Sequence, residues 1–266
     1  MRAVVVGLGK SGTTALVYAI RSAMPADTQL LFEPKSFVEL EAPNVAAKVL
    51  LHPKFPLDPG FYRQFDKVVL LVRDPRDILV SKGLYRIYGG NPLHADLPKL
   101  DQYVELLRAK ERDPRSVPFM RVLALFASLN GRPPNPELGI GRRLNDIVAF
   151  QQAFPGCLVY PYEAMVEGRF DAVAKFLSLD AQAMKPEVPA SLHRVVRSRR
   201  AGNWRDWFCP EDVDHYRPLF SAFMRRYGYA DDWTLESAPR IPPEEASEYV
   251  LRLARERRGE RSAVGQ

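Results

Sequence analysis

The sequence of 266 residues predicts an α/β fold, a three-layer sandwich with a central parallel sheet. Short, continuous apolar runs at Val4–Val6 and Val68–Val72 have the pattern of strands buried on both faces. Strand-like and helix-like segments alternate through the N-terminal half, as in sheets whose strands are joined by helical crossovers. A glycine-rich turn, Gly7–Thr14, joins the first strand to a helical pattern that ends at Pro25. Such a strand, turn and helix form a P-loop-like phosphate-binding turn.

The remaining pattern predicts a single domain over residues 1–266. Prolines interrupt two short helical stretches, 103–110 and 119–129, in the region from about residue 89 to 141. Neither stretch is long enough to bury a core of its own. We therefore predict a helical insertion at about 89–141, and a C-terminal helix at about 242–260. Further strands are predicted at 30–32, 49–51 and 158–160, and further helices at 103–110, 119–129, 170–177 and 216–227.

Composition limits the classes of partner. Hydrophobic residues make up 46% of the chain and charged residues 26%, the usual balance of a soluble globular protein. No apolar run approaches the roughly 18 residues that span a bilayer. Because a strand pattern begins at Ala3, no signal peptide is expected. Two separated cysteines, Cys157 and Cys209, fit neither a disulfide framework nor a zinc site, and reduced thiols favour a cytoplasmic location.

The net charge of +6 does not by itself indicate a nucleic acid partner. Half of this excess lies in the segment from Arg252 to Arg261, which has five arginines and two glutamates and is typical of a solvated helix face. Aromatic residues are not interleaved with basic residues, as they are in single-strand binders. We therefore expect no nucleic acid partner, and the oligomeric state stays open.

Three chemistries compete for the glycine-rich turn. In a dinucleotide-binding fold, Gly7, Gly9 and Gly12 satisfy the G-x-G-x-x-G pattern, and Glu33 follows at the distance of an acid that binds ribose. A nucleoside triphosphatase P-loop would need glycine where Val4 stands, and no acidic strand end follows to hold magnesium. The third chemistry is indicated by the residues Lys10, Ser11, Gly12, Thr13 and Thr14.

This segment resembles the 5′-phosphosulfate loop of sulfotransferases that use 3′-phosphoadenosine 5′-phosphosulfate (PAPS). The resemblance implies that Lys10 lies against the bridging oxygen, where charge grows as the S–O bond breaks. It also implies that the Ser and Thr hydroxyls and the backbone amides hold the non-bridging oxygens. The family needs no metal.

A second motif, Leu71–Ser81, resembles the 3′-phosphate motif of the same family. The resemblance implies that Arg73 and Ser81 both contact the 3′-phosphate, and an arginine fork can grip a phosphate bidentately. The alternative is a strand-to-helix junction with surface ion pairs among its charged residues, which are Arg73, Asp74, Arg76 and Asp77.

Two later segments extend the resemblance through most of the chain. Tyr162–Met165 is similar to a family segment whose tyrosine lies near the adenine, so Tyr162 is implied to contact the nucleotide. The stretch from Arg197 to Trp204 is similar to the late Arg-Lys-Gly-x-x-Gly-Asp-Trp motif, but serine replaces its lysine and arginine its first glycine. The resemblance implies that Arg197 contacts the 3′-phosphate, with Arg199 and Arg200 as further candidates; the alternative is a basic surface turn.

The implied activity is metal-independent, in-line transfer of a sulfuryl group from PAPS to a hydroxyl, leaving 3′,5′-adenosine bisphosphate (PAP). Glu33 is the candidate base, and it lies in a Phe-Glu-Pro segment similar to that of carbohydrate sulfotransferases. This similarity favours a carbohydrate or other small-molecule acceptor. His52 is the alternative base, in a segment loosely similar to the Lys-Thr-His of phenol and steroid enzymes but two residues out of register. Lys48 is either a second positive charge near the leaving group or an edge lysine.

Two other functions stay open. One is an NAD(P)-dependent oxidoreductase that uses the G-x-G-x-x-G turn, and the other is a non-catalytic, nucleotide-binding module of sulfotransferase type. The predicted insertion would form much of an acceptor pocket, with Tyr85, Tyr88 and Tyr103 as candidate stacking groups, although core or surface roles are favoured for each of them.

Overall fold

The computed structural model describes residues 1–52 and 59–259, and the chain divides into two compact units. The first unit consists of Met1–Arg73 and Arg142–His193, and the second of Asp74–Gly141 and the chain from Arg194 onward. That the whole chain acts as one domain with a helical insertion stays a prediction.

The first unit contains a parallel sheet of five strands in the order β2-β3-β1-β4-β5. The strands are β1 Arg2–Gly7, β2 Gln29–Phe32, β3 Val45–Leu50, β4 Lys67–Val72 and β5 Leu158–Pro161. Ala3, Val4, Val5 and Val6 are each at most 1% exposed, so both faces of the central strand are covered. Burial on both faces is why these strands are continuously apolar rather than alternating.

The described residues contain eleven helices. They are α1 Thr13–Ser22, α2 Pro59–Tyr62, α3 Pro75–Tyr85, α4 Leu97–Arg112, α5 Phe119–Leu129, α6 Ile140–Ala153, α7 Tyr162–Val166, α8 Asp171–Leu177, α9 Trp204–Trp207, α10 Pro210–Arg226 and α11 Ser247–Arg257. Short 3₁₀ turns occur at Arg86–Tyr88, Pro92–His94, Ala181–Ala183, Ala190–Val195 and Pro243–Glu245.

Helices α1 and α8 cover one face of the sheet in the first unit. Leu16, Val17 and Ile20 of α1 form one cluster with Val173 of α8 and with Val5 of β1, and all are buried. A separate aromatic cluster joins α2 to α6, where the ring of Tyr62 lies 5.0 Å from that of Phe150 and 5.1 Å from that of Phe154. The predicted α/β class with a central parallel sheet flanked by helices is confirmed.

The second unit is helical. Helix α4 packs against α5 and α11, and α3 packs against α9, α10 and α11. Helix α3 begins with Pro75, whose fixed φ suits the first helical position, and the side chain of Asp74 accepts a hydrogen bond from the backbone N–H of Arg76. Aromatic rings fill the core around Phe119, which lies 5.6 Å from Trp207 and 6.2 Å from Phe208 between ring centroids.

Several boundaries differ from the sequence-based expectations. Strand β3 begins at Val45, four residues before the predicted start, because two alanines preceding Lys48 did not read as a strand. Helix α6 was not expected at all, because its charged face obscures the apolar spacing. The region of the last predicted helix consists of a 3₁₀ turn followed by α11. The predicted end of that helix, residue 260, lies outside the described residues, as does Arg261.

No helix in residues 1–52 and 59–259 is long and apolar enough to cross a membrane. Over the same residues, His, Cys, Asp and Glu side chains form no group of three or more that could hold a metal ion. The metal-free reaction expected from the sequence stays a prediction.

A buried lysine lies within the helical core of the second unit. Lys110 is fully buried, and its Nζ donates to the carbonyl oxygens of Pro114 at 2.9 Å and of Val117. The equally buried Asp212 accepts three backbone N–H groups, two at the start of α5 and one at the start of α10, at 2.7–2.9 Å. Because burial penalises the charged form, it lowers the pKa of Lys110 to about 8 and raises the pKa of Asp212.

This lysine makes the stability depend on pH. Between about pH 8 and pH 10.5, Lys110 loses its proton in the folded protein but keeps it in the unfolded chain. The unfolded state then binds more protons, so the free energy of unfolding rises with pH across this window. Urea denaturation at about pH 7 and about pH 10.5 measures this change. From the lower to the higher pH, the free energy of unfolding of the wild type should rise relative to that of Lys110→Met, which lacks the titrating group. Parallel pH dependence in the two proteins would contradict the shifted pKa.

Candidate functional site

The turn between β1 and α1 has the backbone of an anion-binding loop. Lys10 and Gly12 both adopt left-handed conformations, with φ of 72° and 97°. Both the backbone N–H and the hydroxyl of Ser11 bond to the carbonyl oxygen of Leu8, at 3.2 and 2.7 Å, and close the turn. Alternating right- and left-handed residues ahead of a helix direct successive N–H groups to one side, which favours a bound anion.

Two of the three glycines in this turn are required by their surroundings. A Cβ on Gly7 would lie 2.9 Å from the carbonyl oxygen of Leu71, and a Cβ on Gly12 would lie 2.5 Å from the ring of Tyr162. Gly9 has no atom within 4 Å of the position its Cβ would take. The first and last glycines therefore serve close packing between the turn and its neighbours.

Lys48 connects the turn to the edge of the sheet. Its Nζ donates to Thr14 Oγ1 at 2.8 Å and to Glu33 Oε1 at 2.5 Å, and it lies 4.3 Å from the centre of the Phe32 ring. The lysine side chain is 5% exposed and that of Glu33 is 40% exposed. The buried ammonium is thus satisfied by a loop hydroxyl on one side and by a half-exposed carboxylate on the other.

Strand order explains this bridge. In the parallel register Lys48 of β3 stands beside Val5 of β1 on one side and beside Phe32 of β2 on the other. Glu33 immediately follows β2, with a φ of 52°, so its carboxylate lies at the carboxyl edge of the sheet. Because the predicted strand began at residue 49, the sequence-based prediction left Lys48 as either a positive charge near the leaving group or an edge lysine, and did not reveal which groups it would join.

Arg73 and Tyr162 lie on the other side of the turn. Arg73 follows β4 and is 5% exposed; its Nη1 donates to the carbonyl oxygen of Lys10 at 2.9 Å. Its guanidinium carbon lies 4.1 Å from the centre of the Tyr162 ring. Tyr162 is the first residue of α7, and its ring also packs against Gly12. The first unit therefore brings together the predicted loop residues, Arg73 and Tyr162 in one region.

The two candidate bases are placed differently. Glu33 is bound to Lys48, and through it to the loop hydroxyl of Thr14. His52 lies two residues beyond the end of β3 with an exposed side chain. Glu33 is thus linked to the loop through Lys48.

The remaining predicted contacts belong to the second unit. Ser81 is buried in α3. Arg197 is also buried, and its Nη1 lies 3.4 Å from Glu245 Oε2. Arg200 Nη2 lies 2.9 Å from the same carboxylate oxygen, and the side chain of Arg199 is exposed.

The charged residues after β4 do not form the surface ion pairs that were the alternative for this motif. Arg76 pairs with Asp74 at 2.7 Å, but both side chains are buried. Asp77 is fully buried and accepts backbone N–H groups from Gly202 and Trp204. Nothing in the local sequence indicated that these residues would contact a segment so distant along the chain.

Among the tyrosines considered for an acceptor pocket, Tyr103 is a core residue. It is fully buried, and its ring lies 5.4 Å from that of Phe126. Tyr85 and Tyr88 are partly exposed and stack at 5.7 Å between ring centroids.

Comparison with known proteins shows the fold. No family model matches the chain, and no curated protein sequence matches it either. The crystal structure of mouse sulfotransferase SULT7A1 complexed with PAP aligns with a TM-score of 0.53 and 18% sequence identity, over 84% of each chain. The protein therefore has a sulfotransferase fold, an α/β fold with a central parallel sheet flanked by helices.

The surroundings of Gly12 and Gly9 predict a difference between their alanine variants. Gly12→Ala combines a left-handed backbone with a clash against Tyr162, so we expect a loss of about 1–3 kcal/mol or more in the free energy of unfolding. Gly9→Ala meets open space and should change it by no more than about 0.5 kcal/mol. Urea denaturation of both variants measures this, and equal losses would show that Gly12 is not held as described.

Proposed function

We propose that the protein is a PAPS-dependent sulfotransferase that transfers a sulfuryl group to an acceptor hydroxyl. The main support is the convergence, within the first unit, of Lys10, Lys48 and Arg73 around one left-handed turn. The cationic Lys10 and the backbone N–H groups of the turn suit the charge of a 5′-phosphosulfate, and Arg73 beside the turn suits the 3′-phosphate. The solved neighbour in complex with PAP has the same fold.

The groups of the turn have separable roles in this proposal. The ammonium of Lys10 neutralises the 5′-phosphate as the S–O bond breaks and the electron pair moves to the bridging oxygen. The N–H groups of the turn and the hydroxyls of Thr13 and Thr14 hold the non-bridging oxygens. Removing one such preorganised donor typically lowers turnover by about 10²–10³.

Glu33 completes the reaction as the base. The acceptor hydroxyl gives its proton to the Glu33 carboxylate while its oxygen forms the new bond to sulfur. Lys48 holds one carboxylate oxygen at 2.5 Å, which fixes the orientation of the group at the edge of the sheet. A carbohydrate or other small hydroxyl acceptor follows from the Phe-Glu-Pro resemblance alone.

Further nucleotide contacts are proposed from motif resemblance. Tyr162 would lie near the adenine, and Arg73, Ser81 and Arg197 would contact the 3′-phosphate. Arg199 and Arg200 are additional candidates. The cytoplasmic location and the absence of a metal requirement belong to the same proposal and rest on the sequence.

The nicotinamide alternative is not favoured by the strand order. In the dinucleotide-binding fold, the strand that carries the ribose-binding acid is the direct neighbour of β1. Here β3 separates β2 from β1, so Glu33 lies two strand spacings from the glycine-rich turn, and Lys48 occupies the intervening position. The non-catalytic alternative predicts nucleotide binding without transfer.

Ligand-dependent unfolding tests the proposed nucleotide. We expect PAP at about 100 times its dissociation constant to stabilise the protein by about 2.7 kcal/mol, which raises the melting temperature by about 5 °C or more. 5′-AMP at the same concentration should give a much smaller shift, because it lacks the 3′-phosphate. Thermal denaturation with PAP, 5′-AMP, NAD⁺, NADH and Mg-ATP measures the preference.

The pattern of shifts decides between the functions. A shift with NAD⁺ or NADH alone would support the oxidoreductase and reject the sulfotransferase. A shift with PAP, but no transfer of labelled sulfuryl group from PAPS to any of a panel of sugar and phenol acceptors, would support the non-catalytic module.

The role of Glu33 is tested by Glu33→Gln, which keeps the shape of the side chain but removes the base. With an acceptor identified in that panel, we expect turnover to fall at least about tenfold while the affinity for PAP stays nearly unchanged. Glu39→Gln, an exposed glutamate of the same loop, is the matched control and should retain wild-type turnover. Wild-type turnover of Glu33→Gln would reject the assignment.

A further inference from the structure

The stretch from Arg197 to Trp204, which departs from the sulfotransferase motif, forms a turn closed by its own side chains. Ser198 stands where the motif has lysine, and its Oγ accepts hydrogen bonds from the backbone N–H of Arg200 at 3.1 Å and from Asn203 Nδ2 at 3.3 Å. The replacement thus removes a positive charge and supplies an acceptor at the centre of the turn. We call residues 197–204 the arginine turn.

One carboxylate holds the C-terminal end of the arginine turn. Asp77 Oδ2 accepts the backbone N–H of Gly202 at 2.8 Å, and its Oδ1 accepts that of Trp204 at 3.0 Å. Asp77 is fully buried and Trp204 is 1% exposed, so water does not replace these bonds easily. Gly202 has a φ of 76°, a left-handed conformation that suits glycine and that both bonds help to define.

Arg76, which precedes Asp77 in α3, contacts the same end of the arginine turn. The Arg76 guanidinium carbon lies 3.9 Å from the centre of the Trp204 ring and 4.8 Å from that of Trp233. Asp74 fixes this guanidinium through a 2.7 Å ion pair. The start of α3 therefore contacts both the backbone N–H of Trp204, through Asp77, and its ring, through Arg76.

The N-terminal end of the turn is held by a different carboxylate. Glu245 lies within 3.4 Å of Arg197 and within 2.9 Å of Arg200. With both ends attached, the intervening residues have few conformations open to them. A binding segment that is already ordered loses less conformational entropy when it takes up a ligand.

We propose that Asp77 is a positioning residue for anion recognition: together with Ser198 it fixes the arginine turn in the conformation that reads a 3′-phosphate. This inference rests on the proposed function, since it deepens the role given to Arg197. Asp77 contacts the backbone of the turn and acts through it, so its loss affects the contribution of the 3′-phosphate and not the binding of the rest of the nucleotide.

The test compares two nucleotides that differ only in the 3′-phosphate. Dissociation constants of PAP and of 5′-AMP are measured by calorimetry for the wild type and for Asp77→Asn, in which an amide N–H₂ replaces one of the two acceptors. We expect the preference for PAP over 5′-AMP to fall about tenfold, while the affinity for 5′-AMP changes less than about twofold.

Asp212→Asn is the matched control. Asp212 is as fully buried as Asp77 and also accepts backbone N–H groups, but those belong to the starts of α5 and α10. This variant should lose stability and keep the wild-type preference for PAP. A preference that falls equally in both variants would mean that general destabilisation causes it, which overturns the inference.

The remaining outcomes separate the two proposals. A wild type without preference for PAP rejects the proposed function, whereas an unchanged preference in folded Asp77→Asn rejects only the positioning role. If Asp77→Asn does not fold, Ser198→Ala carries the test, because Ser198 is only partly buried and closes the same turn. A preference lowered at least about threefold in Ser198→Ala supports the inference, and an unchanged one overturns it.

Discussion

The buried ammonium of Lys48 is the interaction on which the candidate site of the first unit depends. Strands in a sheet lie about 4.8 Å apart, so the edge strand β2 runs about 10 Å from the central strand β1. Lys48, on the strand between them, reaches a loop hydroxyl on one side and the Glu33 carboxylate on the other. A buried charge is tolerated only when it is paired and hydrogen-bonded. The lysine therefore couples the orientation of the carboxylate to the conformation of the glycine-rich turn.

The same rule of compensated charge recurs in both units. Arg76 is paired with Asp74, and Arg197 with Glu245, and each pair is largely withdrawn from water. Arg73 instead donates to a loop carbonyl and stacks on Tyr162. Arginine suits these positions because its planar fork combines stacking with directed hydrogen bonds. The positive side chains are thus held in defined orientations.

Departure from a motif need not mean loss of structure. In the arginine turn, serine in place of lysine is accompanied by a hydrogen bond to Asn203, and the glycine that remains in the motif adopts the left-handed conformation that the turn needs. At 18% identity to the solved sulfotransferase, the fold is kept. Such changes are expected where side chains serve the shape of a turn and its backbone supplies the contacts.

The sequence by itself determined the α/β class, the glycine-rich turn between β1 and a helix, and the position of Arg73 directly after β4, because each depends on residues adjacent in the chain. The boundaries of α5 were also predictable, since apolar spacing is local. Only the tertiary structure decided that β3 lies between β2 and β1, and hence that Lys48 joins Glu33 to the loop. It alone placed Asp77 against Gly202, 125 residues away along the chain. Strand order and buried pairing are set by packing between distant segments, which local propensity and spacing do not encode.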